Sequence, residues 1–371
     1  VKRRKFSKNM FIKAIALQNF RNFTMKDFKF EKTNLFFAAN GAGKTSVIEA
    51  INLLATGNSF RAGKVEEMIR LEAELGRVQG MVHLSENAHL EGNEEQVKLE
   101  VMLTRGMVQG KRSQYRLFSV NDVRKTRKTF LQSFTTVVFR PEDLRLVEGS
   151  PSRRRSFLDN ALEMVDREYA LALAKYEQTL RRRNKLLQKV RDGEQSREVL
   201  TFWNLNLLKS GELLQQKRSN LIDFIREVVF PFELNIEYQP SLISEKRQAE
   251  YLDREIIVGH SLIGPHKDDF LLKFSQEEKG IEDLSLLAYG SRGQQRLGVL
   301  WLKVAELQFL KDKIGYQPVL LLDDILSELD EKSKNMVLSL LADYQTILTT
   351  ADGDVMAELK QEIEDLNLIV L

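Results

Sequence analysis

The sequence predicts an α/β fold whose two parts are separated by a long helical hairpin, and three observations carry that expectation. Short segments rich in Phe, Val, Ile and Leu alternate with helix-like stretches before residue 150 and again after 231. No proline occurs between Ser152 and Pro231. There Tyr169, Leu173, Tyr176, Leu180, Leu187 and Val190 follow a four–three spacing, and Leu207, Leu214, Leu221 and Val228 recur every seven residues. Finally, a glycine-rich turn opens one helix near the start of the chain, and an apolar segment far downstream ends in two adjacent acids.

The elements follow in order. FIKAIALQNF, FTMKDFKF and NLFFA, within residues 11–38, read as strands. A helix is expected from Lys44, with Val47, Ile48, Ile51 and Leu54 on one face and Gly57 as its stop. Strands recur up to TTVVF (135–139), and FRPEDLRLVEGSPSRRR (139–155) reads as a loop. Two antiparallel helices joined by RDGEQS (191–196) come next, the first spanning about 50 Å at ~1.5 Å per residue. Beyond Pro231, GHSLIGPHKDDFLLKF gives a turn and a strand, and SRGQQRLGVLWLKVAELQFLK a helix. PVLLLDDILSELD and YQTILTTAD supply buried strands, and NLIVL closes the chain. The expected domains are 1–150, a first α/β part; 151–231, the helical arm; and 232–371, the second α/β part.

Composition narrows the function classes. At 371 residues the chain is long enough for two or three lobes. It is 43% hydrophobic and 29% charged with a net charge of only +3, so any nucleic-acid surface must be a local patch. The absence of cysteine excludes disulfides, thiolate metal sites and a cysteine nucleophile, and fits a reducing cytoplasm. No apolar run approaches the ~20 residues of a membrane span. The basic start VKRRKFSKNM runs into a short apolar stretch interrupted by Lys13, with no cleavage site. Residues 1–9 are expected to be a disordered leader, or sequence upstream of a start at Met10.

Three segments carry phosphate chemistry. AANGAGKTS (38–46) matches the phosphate-loop pattern G-x-x-x-x-G-K-[ST] except that Ala38 holds the first position. The backbone of Asn40, Gly41, Ala42, Gly43, Lys44, Thr45 and Ser46 would wrap ATP phosphates at a helix start, with Lys44 on the outer phosphates and Thr45 on Mg²⁺. If Ala38 required positive φ it would cost roughly 1–2 kcal/mol; the retained inner glycines predict a tolerated substitution. In PVLLLDDILSELD, Asp323 is expected to hold Mg²⁺ through water and Asp324 to polarise the attacking water. YGSRGQQR (289–296) places Ser291, Gly293 and Gln294 at another helix start, where an anion or an ordinary cap by Ser291 fits equally. With one phosphate loop already present, this second helix start makes sense if it covers the nucleotide of a partner subunit.

Taken together, LQNFRNF (17–23), NGAGKTSVIEAI (40–51), TGNSFR (56–61), FRPEDLRLVEGSPSRRRSFLD (139–159), GPHKDDF (264–270), GSRGQQR (290–296) and LLLDDILSELD (320–330) resemble, in order and over nearly the whole chain, the bacterial RecF family of DNA replication and repair ATPases. The resemblance implies an ABC-type P-loop ATPase head with a helical arm, related to SMC heads, forming an ATP-dependent homodimer. It implies that Ser291, with Gly293 and Gln294, contacts the partner's γ-phosphate, and that Asp330 lies in a loop communicating across the dimer. It further implies weak DNA-stimulated hydrolysis, binding to double-stranded and gapped DNA at strand junctions, and loading of the RecA recombinase with RecO and RecR. Two departures stand out: Thr349 or Thr350 occupies the place of a switch histidine, and FRPED offers no glutamine for a glutamine loop.

Candidate DNA ligands are Arg153, Arg154 and Arg155, which are equally suited to support the fold or the nucleotide site, and Arg181, Arg182 and Arg183 with Lys185 and Lys189. The plain alternative for the second run is a solvated helix face. His266 reads as a turn histidine bonded to backbone rather than a metal ligand beside Asp268 and Asp269. Competing functions fit less well. A nuclease would need a carboxylate domain after Asp354, where the chain is too short, and a zinc-hook SMC protein would need cysteine. A transporter ATPase would lack a reason for the central arm. A nucleotide-binding scaffold that does not hydrolyse ATP remains open because of Ala38.

Overall fold

The computed structural model describes residues 8–85, 95–131, 133–276 and 281–371. Residues 1–7, the greater part of the expected leader, lie outside them, and the first strand already begins at Lys8. The chain forms two compact units, Val1–Leu144 with Glu306–Leu371, and Arg145–Ala305.

The first unit is built on two sheets. One is parallel, in the order Thr136–Phe139, Val319–Asp323, Thr346–Thr350, Thr33–Phe37, Leu366–Val370. Its inner strands are continuous apolar or Thr-containing runs because both faces are covered: Val319–Asp323 and Thr346–Thr350 are buried at every position. The other sheet is mainly antiparallel, centred on Lys8–Phe20 between Phe23–Lys29 and Leu75–Ser85. Helix Lys44–Thr56 packs against strands of both sheets. That position overturns the expectation of a one-faced helix: Ser46 through Ala55 are all buried. Its polar residues are internally satisfied. Arg21 donates to both carboxylate oxygens of Glu49 at 2.8 and 2.6 Å, and the Thr136 hydroxyl lies 3.2 Å from Asn52 Oδ1. At Gly80 a Cβ would sit 2.5 Å from Leu54 Cδ1, so the strand can approach the helix only as glycine. Gly57, at φ 66°, ends the helix as expected.

The second unit carries the hairpin, helices Arg167–Arg191 and Thr201–Glu227, joined through Gly193 at φ 74° and a short turn at Arg197–Leu200. The first arm helix is shorter than expected. Asp166 separates it from helix Pro151–Val165, because the Asp166 carboxylate accepts the Tyr169 N–H at 3.0 Å and starts a new helix. The loop expected at 139–155 is likewise largely helical turns, with Pro151 as the first residue of its helix. The unit also reaches well past 231. A three-stranded antiparallel sheet, Leu234–Gln239, Asp269–Gln276 and Ile281–Ser285, and helix Glu245–Val258 pack on the hairpin. Limits of 151–231 therefore cover only the helical part of a larger body.

Candidate functional site

The parallel sheet sets the site. Its strands run in register so that Asp323 lies beside Thr349, and Thr349 beside Phe36, at their carboxyl ends. In an open parallel sheet this edge is where ligands bind. The loop 38–43 leaves strand Thr33–Phe37 there and turns into helix Lys44–Thr56. Gly41 and Gly43 have φ of 85° and 112°, and a Cβ on Gly43 would lie 2.7 Å from Asn22 Nδ2. Ala38 is not among the positive-φ residues and is buried, so alanine carries no backbone penalty at this position. Its carbonyl accepts the Lys44 ammonium at 2.6 Å, with the Ala39 carbonyl at 3.2 Å. The loop is braced from outside by Asn22, whose amide donates to the Ala42 carbonyl at 3.0 Å.

Asp323 is the hub of the acidic end. Its Oδ1 accepts from the Thr45 hydroxyl at 3.1 Å and the Thr349 hydroxyl at 2.8 Å. Burial pushes its carboxyl above the ordinary range; those two hydroxyls, and then the positive charge of Arg140, pull against that shift. Thr349 Oγ1 also accepts the Asp324 N–H at 3.0 Å. This holds Asp324 at φ 52°, a left-handed conformation unusual for a non-glycine residue. Thr45 and Asp323 are hard oxygen donors side by side at a helix start. They could hold Mg²⁺, an ion that keeps phosphate oxygens and water as its remaining ligands. Among the described residues no group of three or more His, Asp or Glu forms a metal site of its own.

In the second unit, Ser291 and Gln294 close a reciprocal cap on helix Arg292–Ile314. The Ser291 N–H donates to Gln294 Oε1 at 2.8 Å, and the Gln294 N–H to Ser291 Oγ at 3.3 Å. Ser291 is exposed and Gly293 half-buried. The cap reading of Ser291 is thus realised, with its face still open to solvent.

The arginine runs divide, and two of the six candidates are corrected. Arg154 is buried in a two-pronged pair with Asp269 at 2.6 and 2.8 Å. Arg183, 1% exposed, pairs with Glu255 at 2.6 Å and donates to Ser261 and Asn204. Neither guanidinium can reach a DNA phosphate. Arg155 donates to the Asp268 carbonyl at 2.8 Å and is half-buried, and burial lowers its pKa. Arg153, Arg181 and Arg182 are exposed. Arg181 and Arg182 line one shallow surface with Gln178, Asn184 and Lys185. Lys189 is exposed beside Glu194 at 3.4 Å.

GPHKDDF belongs to a buried polar network. Asp268, fully buried, accepts from Arg218, Gln215 and the Ser241 N–H at 2.9, 2.8 and 2.8 Å. Arg218 reaches Asp159 at 2.8 Å as well. His266 Nε2 faces the Ser261 carbonyl at 3.1 Å and must carry the proton, leaving Nδ1 to accept the Tyr176 hydroxyl at 2.8 Å. Burial lowers the His266 pKa to about 4. It is a turn histidine, as the sequence predicts. Asn22 and Glu49, though they lie within LQNFRNF and NGAGKTSVIEAI, are given no role by the sequence reading, and Thr349 enters it only at the place of a switch histidine.

Comparison with known proteins accords with this architecture. The family model described as RecF/RecN/SMC N terminal domain matches residues 11–365. A DNA replication and repair protein RecF of Natranaerobius thermophilus is 35% identical over 389 aligned residues, covering 95% of this chain and 96% of the relative. The chain belongs to the RecF family. A second RecF, from Agathobacter rectalis, is 32% identical over 93% of both chains. Among solved structures, that of the recombination mediator protein RecF-ATPrS in the RecFOR pathway superimposes with a TM-score of 0.81 at 29% identity, covering 94% of this chain and 95% of the other. The fold is therefore the ABC-type head of RecF proteins. Among the described residues no helix is long and apolar enough to cross a membrane.

Proposed function

We propose that this RecF-family chain is an ATP-controlled clamp on DNA. The observation that carries the reading is the Thr45–Asp323–Thr349 cluster, at hydrogen-bond distances of 3.1 and 2.8 Å, beside a phosphate loop at the carboxyl edge of a parallel sheet. In this reading Asn40–Ser46 wrap the triphosphate, Lys44 neutralises its outer phosphates, and Thr45 and Asp323 hold Mg²⁺. Asp324 polarises the attacking water. Ser291, Gly293 and Gln294 of a second copy cover the same γ-phosphate, so ATP closes a homodimer. Hydrolysis is slow and DNA-stimulated, and it resets binding. The clamp engages gapped DNA at junctions of single and double strand, in the cytoplasm, and assists RecA loading together with RecO and RecR. Exposed Arg153, Arg181 and Arg182 with Lys185 supply phosphate contacts, which position without reading sequence.

The test is binding to a gapped duplex with ATP, without nucleotide, and with Ser291→Arg. Tight binding only with ATP, lost in the variant, is expected. Binding indifferent to both would refute the composite site.

A further inference from the structure

Arg140 stands at the edge of the nucleotide site without a role in holding the phosphate loop or the acids. Strand Thr136–Phe139 pairs in parallel with the strand that ends in Asp323, with Phe139 opposite Leu322. Arg140 follows one residue past that strand, as Asp323 follows Leu322, at the same carboxyl edge as the phosphate loop. The Arg140 guanidinium is clamped from two sides. Its Cζ lies 4.3 Å from the centroid of the Phe60 ring, and Nη2 donates to Asp143 Oδ1 at 3.2 Å. The Asp143 carboxylate also accepts the Arg140 backbone N–H at 3.0 Å, which fixes the base of the side chain. Yet Nε is buried and meets no acceptor among the described residues. A buried, charged donor left unpaired is costly, and its ready partner is an anion. The same charge opposes the upward shift of the Asp323 carboxyl, so it acts on the acidic end of the site.

We propose that Arg140 is a phosphate-contacting arginine supplied by the nucleotide's own subunit, whose clamped guanidinium bonds the terminal phosphate of a bound triphosphate beside Asp323. This rests on the ATP reading above. A planar guanidinium suits phosphate oxygens, and stacking on Phe60 leaves little rotamer freedom to lose on binding. Arginines supplied in cis are a known way to stabilise charge on a transferring phosphoryl group.

The test compares ATP and ADP affinities of the full chain by calorimetric titration in Mg²⁺, for the wild type, Arg140→Ala, Arg140→Lys and Lys44→Ala. Loss of a charged hydrogen bond weakens binding roughly tenfold or more. Arg140→Ala should therefore lose at least about tenfold in ATP affinity while ADP affinity stays within about twofold. Arg140→Lys keeps the charge but not the planar fork, and should show the same selectivity to a smaller extent; it decides the matter if the alanine variant does not fold. Equal losses for ATP and ADP, or none, overturn the proposal while leaving the ATP reading intact. If the wild type binds neither nucleotide, or Lys44→Ala binds as well as wild type, the ATP reading fails and this proposal fails with it.

Discussion

Replacing Thr349 by valine removes one hydroxyl and almost no volume, at a residue 4% exposed. That hydroxyl donates to Asp323 at 2.8 Å and accepts the Asp324 N–H at 3.0 Å. A hydrogen bond to a charged group is worth about 1.5–3 kcal/mol net and here opposes the upward push of burial, so its loss should move the Asp323 carboxyl further above its ordinary range. The sign follows from burial. The Asp323 carboxyl already titrates above its ordinary value, so its contribution to stability is full below the unfolded pKa and is lost as pH rises through the folded one. In Thr349→Val that loss becomes larger and extends to higher pH. The unfolding midpoint should therefore fall most at higher pH and approach wild type as the pH falls far enough to protonate Asp323 in both proteins. If the carboxylate holds Mg²⁺ as proposed, ATP affinity in Mg²⁺ should weaken at a higher pH than in wild type. Thr349→Ser keeps the hydroxyl and should restore both profiles. An equal loss at every pH, or a serine variant that behaves like valine, would show that Thr349 acts through packing and not through Asp323.

Three further outcomes follow from the second unit. Burial holds the His266 pKa at about 4, against 6.5 for the free side chain, so its contribution to stability is present above pH 6.5 and is lost as pH falls through about 4. The whole effect is about 3 kcal/mol, and His266→Gln should flatten the pH dependence of unfolding over that window, as followed by denaturant titration. Arg181→Ala with Arg182→Ala should leave the unfolding midpoint near wild type, lower affinity for a gapped duplex, and reduce the salt slope by about 0.9 for each phosphate no longer neutralised. By contrast, Arg183→Met should destabilise the unit by about 3–5 kcal/mol, since it strands the buried Glu255 carboxylate; an unchanged midpoint would refute the assignment of Arg183 to the fold.

The parts of the site that are legible in the sequence are those whose chemistry is local. Gly41 and Gly43 must be glycine because the turn needs positive φ. Lys44 and Thr45 follow from the helix start, and the acids at 323–324 end a strand that has no other use for them. What is not legible depends on strands brought together from far apart. Thr349 is visible in sequence only as the residue at the place of a switch histidine, and its hydrogen-bonding role appears when Asp323 lies beside it in the sheet. Helix Lys44–Thr56 shows one apolar stripe in sequence, yet the second sheet covers its other side. Glu49 is then buried against Arg21 and Ser59, partners from two separate motifs. Asp166 looks like one more polar residue on a long helix, but its carboxylate stops one helix and caps the next.

The arginine runs mislead for a geometric reason. Successive residues on a helix are about 100° apart, so three in a row sweep about 200°, more than a packed helix exposes. On a helix with one buried face, at least one member of such a triplet must turn inward and needs an acid there. That is what happens twice here: Arg154 finds Asp269 and Arg183 finds Glu255, while Arg153, Arg181 and Arg182 stay in solvent. The acids that receive Arg154 and Arg218 come from GPHKDDF and SFLD, and Arg155 donates to the Asp268 backbone carbonyl. Both motifs therefore sit where buried charges are matched, Arg154 to Asp269 and Arg218 to both Asp159 and Asp268. Removing a single member leaves an unpaired ion, which is far more damaging than losing the whole set. The density of charge in 153–159 and 264–270 thus specifies the interior of the second unit, and the surface it presents to DNA is limited to the arginines the network leaves over.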